Sequence, residues 1–404
     1  MEGERVADKV IFHVDVNSAF LSWEAVHRLK DLGETLDLRA IPSAVGGDIS
    51  KRHGVILAKS IPAKAFDVRT GEPIVDALRK CPNLVMVQPD HELYKRNSEA
   101  FIAILRKYSD TVEQYSIDEA FVDMTGTGLL FGEPIEAANR IREEVYDTLG
   151  FTVNVGISSN KLLAKMASDF KKPNLVHTLF PREIPDKMWP LPVRDLFLVG
   201  KSSEKALGSM GIRTIGDLAN TDVGILKSVL KKQGETIWNF ANGRDFSLVE
   251  TRKTANKGYA NSTTIAFDVT DATTAKIILL SLAENIGGRL RQDGVRAGSV
   301  SVSIRFSDLS NVSHQCILNN ATDITDEIHA AACRLFDEMW NGTPIRLLGI
   351  YAGRIEENAC RQLSVFDSKD YEKLQKLDKA VDSIRARFGN DAVKRATFMD
   401  KDAL

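Results

Sequence analysis

Two apolar segments of this chain each meet acidic residues at one end. The run Val10-Ile11-Phe12-His13-Val14 leads to Asp15, and Asp118-Glu119 stand immediately before Ala120-Phe121-Val122. Short apolar runs predict strands, and acids at the ends of such strands gather several negative charges in one place. Crowded carboxylates of this kind need divalent cations. Two hard cations about 3.5–4 Å apart, bridged by carboxylates, are suited to phosphoryl transfer.

An acidic pair such as Asp118-Glu119 is, taken alone, more often a pair of solvated turn residues than part of a site. The surroundings favour the functional interpretation. Asp15 is followed by Phe20, and the segment 151–158 leads into a basic stretch with Lys161, Lys165, Lys171 and Lys172. Acids suited to metal ions and lysines suited to phosphates therefore occur together.

Composition indicates a globular protein of several domains. The chain has 404 residues, of which 43% are apolar and 27% charged, and this length predicts three or four domains. A net charge of −2 and a pI near 6.4 argue against nucleic-acid binding by bulk charge. Local lysine clusters, at 161–172 and at 227–232, can still provide basic surfaces.

Nothing in the sequence predicts membrane insertion or export. No apolar stretch approaches the roughly 18 residues of a membrane span. Residues 1–5 do not begin a signal peptide, so we expect a cytoplasmic protein. The cysteines lack the paired spacing of a zinc or redox site, and we expect reduced thiols at Cys81, Cys316, Cys333 and Cys360.

The order of predicted elements up to about residue 179 indicates a mixed sheet backed by helices. Hydrophobic periodicity predicts strands at 10–16, 111–123 (two strands around Asp118) and 151–157, and helices at 18–30, 92–108 and 134–149. Residues 180–245 are predicted to be helical and compact. Residues 199–212 within them have the pattern of a helix-hairpin-helix, whose backbone amides bind a DNA phosphate. An ordinary helical hairpin has the same pattern.

The last third of the chain predicts a separate domain and a tail. After a polar linker at 246–256, the predicted order is strand 260–268, helix 272–292, strands 299–306 and 312–319, helix 323–340 and strand 345–354. This βαββαβ order predicts an antiparallel sheet with both helices on one face. In the tail, apolar residues at helical spacing predict a terminal helix that docks by its apolar stripe, namely Leu374, Leu377, Val381, Ile384 and Phe388.

Two motifs resemble the palm signatures of the Y-family DNA polymerases, in particular the bacterial polymerase IV type that bypasses lesions. They are Tyr115-Ser116-Ile117-Asp118-Glu119-Ala120-Phe121 and Val155-Gly156-Ile157-Ser158-Ser159-Asn160-Lys161. The resemblance covers roughly residues 9–366 and implies an α+β multidomain right hand. The implied domains are a palm at 1–26 and 90–179, fingers at 27–89, a helical thumb at 180–245, a linker at 246–256, a little finger at 257–355 and a tail at 356–404.

The resemblance also implies roles for individual residues. Asp15, Asp118 and Glu119, with the carbonyl of Val16, would hold two Mg²⁺ ions for nucleotidyl transfer from a deoxynucleoside triphosphate to a DNA primer. The predicted contacts to the nucleotide are Phe20 as a steric gate beneath the sugar, and Lys64 and Lys172 at the triphosphate. The predicted contacts of the thumb hairpin to DNA are Gly200, Lys201 and Gly211.

The chain departs from the family pattern at several of these positions. Ser60-Ile61-Pro62-Ala63-Lys64 stands where the family has Asn-Tyr-Pro-Ala-Arg, and a lysine lacks the bidentate fork of arginine. Leu57 is bulkier than the small residues common in the fingers. Asn17 replaces a second acid and resembles the polymerase V branch, and Leu198 replaces the first glycine of the thumb hairpin.

The tail pentapeptide Gln362-Leu363-Ser364-Val365-Phe366 is similar to the peptide by which bacterial polymerases bind the sliding clamp. Leu363, Val365 and Phe366 would enter an apolar pocket while Gln362 sets the register. The resemblance further implies a monomer that binds primer-template DNA. No segment carries the additional acidic cluster of a proofreading exonuclease, so we expect low-fidelity synthesis past DNA damage.

Two other functions remain open at this point. Val45-Gly46-Gly47-Asp48-Ile49 is similar to the Gly-Gly-Asp-Glu hairpin of diguanylate cyclases, but the second acid is missing. A polymerase-like adaptor that binds DNA and the clamp without catalysis is the more serious alternative. The presence of Asp15, Asp118 and Glu119 favours an active polymerase.

Overall fold

The structure is a computed structural model that describes residues 9–48, 54–251, 255–357, 361–362 and 370–398. The chain divides into two compact units. One comprises Met1–Gly47 and Gly54–Lys253, and the other comprises Asp48–His53 and Thr254–Leu404.

The first unit alternates strands with helices. Its strands are β1 (Ile11–Val16), β2 (Ser43–Gly46), β3 (Ile56–Lys59), β4 (Val85–Val87), β5 (Val112–Gln114), β6 (Glu119–Asp123), β7 (Val153–Ser158) and β8 (Val176–Thr178). Its helices are α1 (Ala19–Lys30), α2 (Ile61–Lys64), α3 (Ile74–Lys80), α4 (His91–Leu105), α5 (Gly128–Phe131), α6 (Pro134–Leu149), α7 (Lys161–Ser168), α8 (Ile184–Lys187), α9 (Lys201–Ser209), α10 (Ile215–Ala219), α11 (Val223–Leu230) and α12 (Lys232–Ala241).

A five-stranded sheet in the order β5-β6-β1-β7-β8 forms the centre of this unit. Strand β1 pairs antiparallel with both β6 and β7. Alternate residues of these strands, among them Phe12, Val14 and Val155, are buried in one core with residues of α1, α4 and α6. The opposite face of the sheet carries polar and small residues and contacts α7.

Gly156 explains how closely α7 approaches the sheet. A Cβ atom at this position would lie 2.0 Å from the carbonyl oxygen of Ala164 and 2.5 Å from the amide nitrogen of Ser168. Any side chain would therefore push α7 off strand β7. The glycine keeps the basic helix against the face that carries Asp15 and Glu119.

Other parts of the first unit have cores of their own. A small three-stranded sheet in the order β3-β2-β4 packs with α2 and α3 around Ala44, Ile56 and Ile74. Helices α8 to α12 share another core, which also receives Leu163 of α7. These separate cores are compatible with the predicted fingers and thumb, whose boundaries stay a prediction.

The second unit has the predicted βαββαβ order. Its elements are β9 (Gly258–Val269), α13 (Ala272–Gln292), β10 (Arg296–Phe306), β11 (Asn311–Thr322), α14 (Thr325–Met339) and β12 (Ile345–Glu356), followed by α15 (Tyr371–Phe388). The strands form an antiparallel sheet in the order β11-β10-β12-β9. Helices α13 and α14 contact each other and bury one core against this sheet, so the prediction of both helices on one face is confirmed.

The terminal helix forms as predicted, but the prediction that it docks by its apolar stripe is wrong. Leu377, Ile384 and Phe388 are exposed, and Asp378 is the buried residue of α15. Asp378 and Asp382 bind the guanidinium of Arg291 on α13, at 3.1 and 2.5 Å. The helix is therefore docked by one buried and one half-buried ion pair, and a charge removed from water requires such a partner.

The polar segment after α12 is not a free tether over its first half. The side chain of Val249 packs against Ile11, Phe121 and Ala164, and the amide of Glu250 donates to Glu113 at 2.9 Å. Residues 252–254 lie outside the described part of the chain.

No helix among the described residues is both long enough and apolar enough to cross a membrane. Cys81, Cys316 and Cys333 are free thiols, whereas Cys360 lies outside the described residues.

Candidate active site

The pairing of β1 with β6 brings the predicted acidic residues together. Asp15 lies directly opposite Glu119 in the antiparallel register. Asp118 occupies the turn just before β6, and its carbonyl accepts a hydrogen bond of 2.9 Å from the amide of Val16. Asp15, Val16, Asp118 and Glu119 therefore meet at one end of the central two strands.

Each of the three carboxylates has its own partner in this conformation. Asp118 accepts a 2.6 Å hydrogen bond from the hydroxyl of Ser116, and Asp15 binds the ammonium of Lys172 at 2.8 Å. Glu119 binds Lys165 and the ring of His13. Within the described ranges no set of three Asp, Glu, His or Cys side chains is arranged to hold a metal ion.

His13 is a site residue that the sequence interpretation missed. Its ring is fully buried, with Nε2 3.0 Å from Glu119 and Nδ1 2.8 Å from the hydroxyl of Ser168. Burial lowers the pKa of His13, which favours a neutral ring. With one ring proton on Nε2, the ring donates to the carboxylate of Glu119, while the hydroxyl of Ser168 donates to the carbonyl of Lys165 at 2.8 Å. The position of His13 two residues before Asp15, on the same face of β1, is the sequence signal that could have revealed it.

Glu119 is held in its charged form by these contacts. Burial alone would raise the pKa of the Glu119 carboxyl, but hydrogen bonds from His13 and Lys165 outweigh this effect and lower its pKa to about 2. Lys165, which was predicted only as part of a basic stretch suited to phosphates, lies one helical turn after Lys161 on α7 and thus on the face directed at the sheet. Glu119 is consequently a carboxylate at every pH of ordinary use.

Lys172, the predicted contact to the triphosphate, lies beside Asp15. Its ammonium bridges Asp15 and Asp169, at 2.8 and 2.9 Å. Burial works against its charge, but the two carboxylates raise the pKa of Lys172. Burial also raises the pKa of Asp15. A permanent cation thus stands beside the predicted metal ligand of β1.

Phe20 lies in the first turn of α1, next to the same strand end. Its ring stacks on Tyr94 of α4, with the centroids 4.5 Å apart and the planes 9° from parallel. The Tyr94 hydroxyl donates to the buried carboxylate of Glu24 at 2.7 Å. Burial and this carboxylate raise the pKa of Tyr94, so the hydroxyl keeps its proton and remains a hydrogen-bond donor. Tyr94 and Glu24, both missed in the sequence, hold the ring of Phe20 in one orientation.

The segment Ser60–Lys64, predicted to belong to the fingers, forms the short helix α2 and its cap. Ser60 caps α2 by accepting from the amide of Ala63 at 3.1 Å. Ile61 and Lys64 are both exposed, and Lys64 makes no ion pair with any described residue. Leu57 packs against the core of the central sheet. The structure brings Lys172 to the acids, and within the described part of the chain Lys64 has no hydrogen bond or ion pair with them.

The predicted thumb hairpin, residues 199–212, contains helix α9. Gly200 is the N-cap of α9, Lys201 is its exposed first residue, and Gly211 has φ +80° after its end. Leu198 adopts φ +68°, a left-handed conformation that favours glycine. Its carbonyl accepts from the side chain of Gln233 at 3.0 Å. Leu198, which stands where the family pattern has a glycine, therefore keeps a backbone conformation that favours glycine.

Replacing Leu198 by glycine should relieve this conformation. The left-handed region costs a residue with a Cβ roughly 1–2 kcal/mol, partly offset by the greater flexibility of glycine in the unfolded chain. We expect an unfolding free energy that is unchanged or about 1 kcal/mol higher, together with tighter binding of primer-template DNA. Chemical denaturation and fluorescence anisotropy with labelled DNA measure the two effects.

Leu309 provides a matched control, because it is also an exposed leucine with a left-handed φ of +69°. Leu309→Gly should alter stability as Leu198→Gly does without changing DNA affinity. Weaker DNA binding by Leu198→Gly would contradict a role of the hairpin in DNA binding.

The predicted clamp peptide begins at the edge of the described structure. The backbone of Gln362 pairs with the side chain of Asn320 through hydrogen bonds of 2.9 and 3.1 Å. Arg361, just before it, binds Glu327 with two guanidinium nitrogens. Leu363, Ser364, Val365 and Phe366 lie outside the described residues.

Family models match most of the chain. The impB/mucB/samB family model matches residues 14–169, and the C-terminal domain model of the same family matches residues 256–365. The model described as the thumb domain of DNA polymerase iota matches residues 194–245. The first of these matches contains Asp15, Asp118 and Glu119.

Relatives match the chain from end to end. A DNA polymerase IV of Clostridium acetobutylicum is 46% identical over 98% of this chain and 99% of its own length. A DNA polymerase IV of Acetivibrio thermocellus is 38% identical over the same shares, and DNA polymerase IV 1 of Bacillus subtilis is 33% identical over 98% and 94%. A solved Y-family DNA polymerase chimera, 21% identical, has the same fold, with a TM-score of 0.74 over 86% of this chain and 100% of its own.

Agreement in sequence over the whole length, together with a shared fold, leads to one assignment: the chain belongs to the Y-family DNA polymerases, as a DNA-directed DNA polymerase.

Proposed function

We propose that this polymerase synthesises DNA across damaged templates by two-metal nucleotidyl transfer, with low fidelity and without proofreading. The observation that carries the proposal is the pairing of Asp15 with Glu119 across β1 and β6, with Asp118 beside them. Family membership supports an active enzyme over the adaptor and the cyclase considered above.

The donor set at the strand ends fits divalent cations. Asp15, Asp118 and Glu119 offer carboxylate oxygens, which are the ligands that Mg²⁺ prefers, and the carbonyl of Val16 lies next to them. We propose that these residues hold two Mg²⁺ ions once primer, template and nucleotide are bound. The chemistry that such ions supply is activation of the primer 3′-hydroxyl and stabilisation of the departing pyrophosphate.

Release of Asp15 from its present partner, Lys172, is part of this proposal. Lys172 binds Asp15 in the structure, and a triphosphate would offer this ammonium a competing anion. Lys172 would then neutralise phosphate while Asp15 turns to a cation. Lys165 and His13 stay with Glu119 and fix the direction of its carboxylate.

Selection of the sugar is assigned to Phe20. A rigid ring discriminates against a 2′-hydroxyl by steric exclusion rather than by attraction. The stack on Tyr94 supports this role because it restricts the ring. Lys64 is proposed as a second phosphate contact from the fingers, acting as a point charge.

We further propose that Gly200, Lys201 and Gly211 contact the phosphates of the DNA and that the pentapeptide 362–366 binds the bacterial sliding clamp. The side chains of Leu363, Val365 and Phe366 are the proposed anchors. That the protein acts as a monomer, and that it acts in the cytoplasm, are two further predictions.

Replacing Leu363 and Phe366 together by alanine should weaken clamp binding by at least roughly tenfold, because a few buried apolar side chains dominate such short peptide contacts. Surface plasmon resonance on immobilised clamp measures the affinity. Primer extension without clamp should be unchanged. Leu377→Ala, at an exposed leucine of α15, is the control. Clamp affinity that survives the double substitution would exclude this motif.

A primer-extension assay tests the proposed function itself. The purified chain is given a primed template, four deoxynucleotides and Mg²⁺, on undamaged DNA and on DNA with an abasic site. We expect extension of both primers and no shortening of the primer when nucleotides are withheld. Failure to extend the undamaged primer would refute the catalytic proposal, and primer shortening would refute the absence of proofreading.

A further inference from the structure

Two buried asparagines connect the strand of Asp15 to the loop of Lys172. Asn17 follows β1, and Asn154 lies in β7 directly opposite Asp15 in the antiparallel register. Asn17 is 8% exposed and Asn154 is fully buried. We name these two side chains the amide pair. Buried side-chain amides require hydrogen-bond partners on both the oxygen and the nitrogen. Their partners therefore show which backbone segments they hold in place.

Asn154 satisfies its whole hydrogen-bonding capacity, mostly with the loop. Its Nδ2 donates to the carbonyls of Ser168 and Lys171, at 3.1 and 2.7 Å. Its Oδ1 accepts from the amide of Leu175 at 3.2 Å and from Nδ2 of Asn17 at 3.3 Å. One side chain thereby binds the backbone both before and after Lys172.

Asn17 completes the connection from the side of β1. Its Oδ1 accepts from the amide of Asn174 and from the hydroxyl of Thr152, both at 2.9 Å. Arg142 and His177 add one hydrogen bond each to the carbonyls of Asn174 and Lys171. The amide pair makes four backbone hydrogen bonds with Ser168, Lys171, Asn174 and Leu175.

The orientation of both amides is determined by their partners. Two carbonyls face the nitrogen of Asn154, so its oxygen must face Asn17, and Asn17 must present a donor there. A carboxylate at position 17 would oppose the oxygen of Asn154. Rotating Asn154 by half a turn would then place its oxygen against the two carbonyls. An acid at position 17 is therefore incompatible with Asn154, although it has nearly the same shape as asparagine.

The consequence for the site is a fixed relation between two charged groups. The strands that set the position of Asp15 also fix the backbone around Lys172, whose ammonium lies 2.8 Å from Asp15. Long lysine side chains are flexible, so the position of the ammonium depends on where the backbone of the loop is held.

We propose that Asn17 and Asn154 are positioning residues for Lys172 and thereby set the affinity of the enzyme for the incoming nucleoside triphosphate. This inference rests on the proposed role of Lys172 at the triphosphate. It deepens that role, because it explains the amide at position 17. The family pattern has an acid there, whereas here Asn17 acts together with Asn154.

The test measures the apparent Kd for a correct deoxynucleotide and the maximal incorporation rate, by rapid quench under single-turnover conditions. Asn17→Asp should raise the Kd by about tenfold, the effect of an unsatisfied buried hydrogen bond, with DNA affinity unchanged. Lys172→Ala should raise the same Kd. In the double variant Asn17→Asp/Lys172→Ala the effect of the first substitution should disappear, because the two residues act through one contact.

Two further variants keep the test independent of folding. Thr152→Val removes one donor to Asn17 without changing shape and should raise the Kd by a smaller factor, about threefold. Asn139→Asp, on α6 and outside the site, is the matched control and should leave the Kd unchanged.

The outcomes separate this inference from the proposal beneath it. If Lys172→Ala raises the Kd and Asn17→Asp lowers only the thermal stability or the rate, the amide pair is structural and the inference is wrong, while the role of Lys172 stands. If Lys172→Ala leaves the Kd unchanged, the proposed role of Lys172 fails, and positioning through it fails with it. Additive effects in the double variant also contradict the inference.

Discussion

Replacing Asp118 by alanine is expected to lower the rate of single-nucleotide incorporation by roughly a thousandfold or more, because metal-assisted phosphoryl transfer depends on several kcal/mol of charge stabilisation. Asp118 lies in the turn before β6, where its carboxylate accepts a hydrogen bond from Ser116. It makes no ion pair with any residue of the described ranges, so its removal leaves no described cation unpaired.

The rate is measured by rapid quench, with enough primer-template that incorporation does not deplete it. The affinity for DNA is measured by fluorescence anisotropy. Affinity for DNA should change by less than about threefold, since DNA binding depends on contacts to the phosphate backbone elsewhere. Asp123→Ala is the matched control: it removes a carboxylate at the opposite end of the same strand, where it pairs with Ile11 in the register. A variant Asp118→Ala that extends primers at nearly the normal rate would overturn the metal assignment.

The second large effect concerns the choice of sugar. Phe20→Ala should increase the incorporation of ribonucleotides relative to deoxynucleotides by roughly a hundredfold, because it removes a steric clash worth a few kcal/mol. Phe20 is held by a parallel stack on Tyr94, and Tyr94 is held by Glu24. We expect that a ring restricted in this way does not move aside to admit a 2′-hydroxyl.

The ratio of kcat/KM for a ribonucleotide and its deoxynucleotide is the quantity to measure. Both values come from one preparation, so a loss of active protein cancels in the ratio. Phe246→Ala, at a phenylalanine that is 90% exposed, serves as the control. Tyr94→Phe keeps the stack but loses the hydrogen bond to Glu24, and its effect should be smaller. An unchanged ratio for Phe20→Ala would refute the steric-gate role.

Much of the fold was predictable because local patterns and burial agree. The apolar runs before Asp15 and after Asp118-Glu119 predicted two strands with acids at one end, and helix α13 was predicted with its observed bounds, 272–292. The βαββαβ order followed from periodicity alone, since each element of that unit has one buried face.

What could not be predicted depends on long-range partners. The apolar spacing of α15 favoured docking by Leu377 and Ile384. The helix instead docks through Asp378 and Asp382, which bind Arg291 of α13. A hydrophobic pattern cannot report a buried cation on another helix. The same reason explains why residues 246–256 were predicted only as a polar linker although Val249 packs against the central sheet.

The candidate site shows the same division. The motifs singled out Asp15, Asp118, Glu119 and Lys172, and the sheet brings them together. The residues that orient them were not predicted in that role: His13 and Asn154 were missed, Lys165 was expected at phosphates, and Asn17 was noted only as the replacement of an acid. Their contacts join segments more than a hundred residues apart, or cross between strand and loop, and become visible only when the register is known.

The most direct test of the central claim is to count the metal ions in the assembled site. The protein is crystallised with primer-template DNA, a non-reactive deoxynucleoside triphosphate analogue and Mn²⁺, and the ions are located by anomalous scattering. We expect two peaks about 3.5–4 Å apart, both in contact with carboxylates from the set Asp15, Asp118 and Glu119. A single peak, or peaks that avoid these carboxylates, would contradict two-metal nucleotidyl transfer at this site.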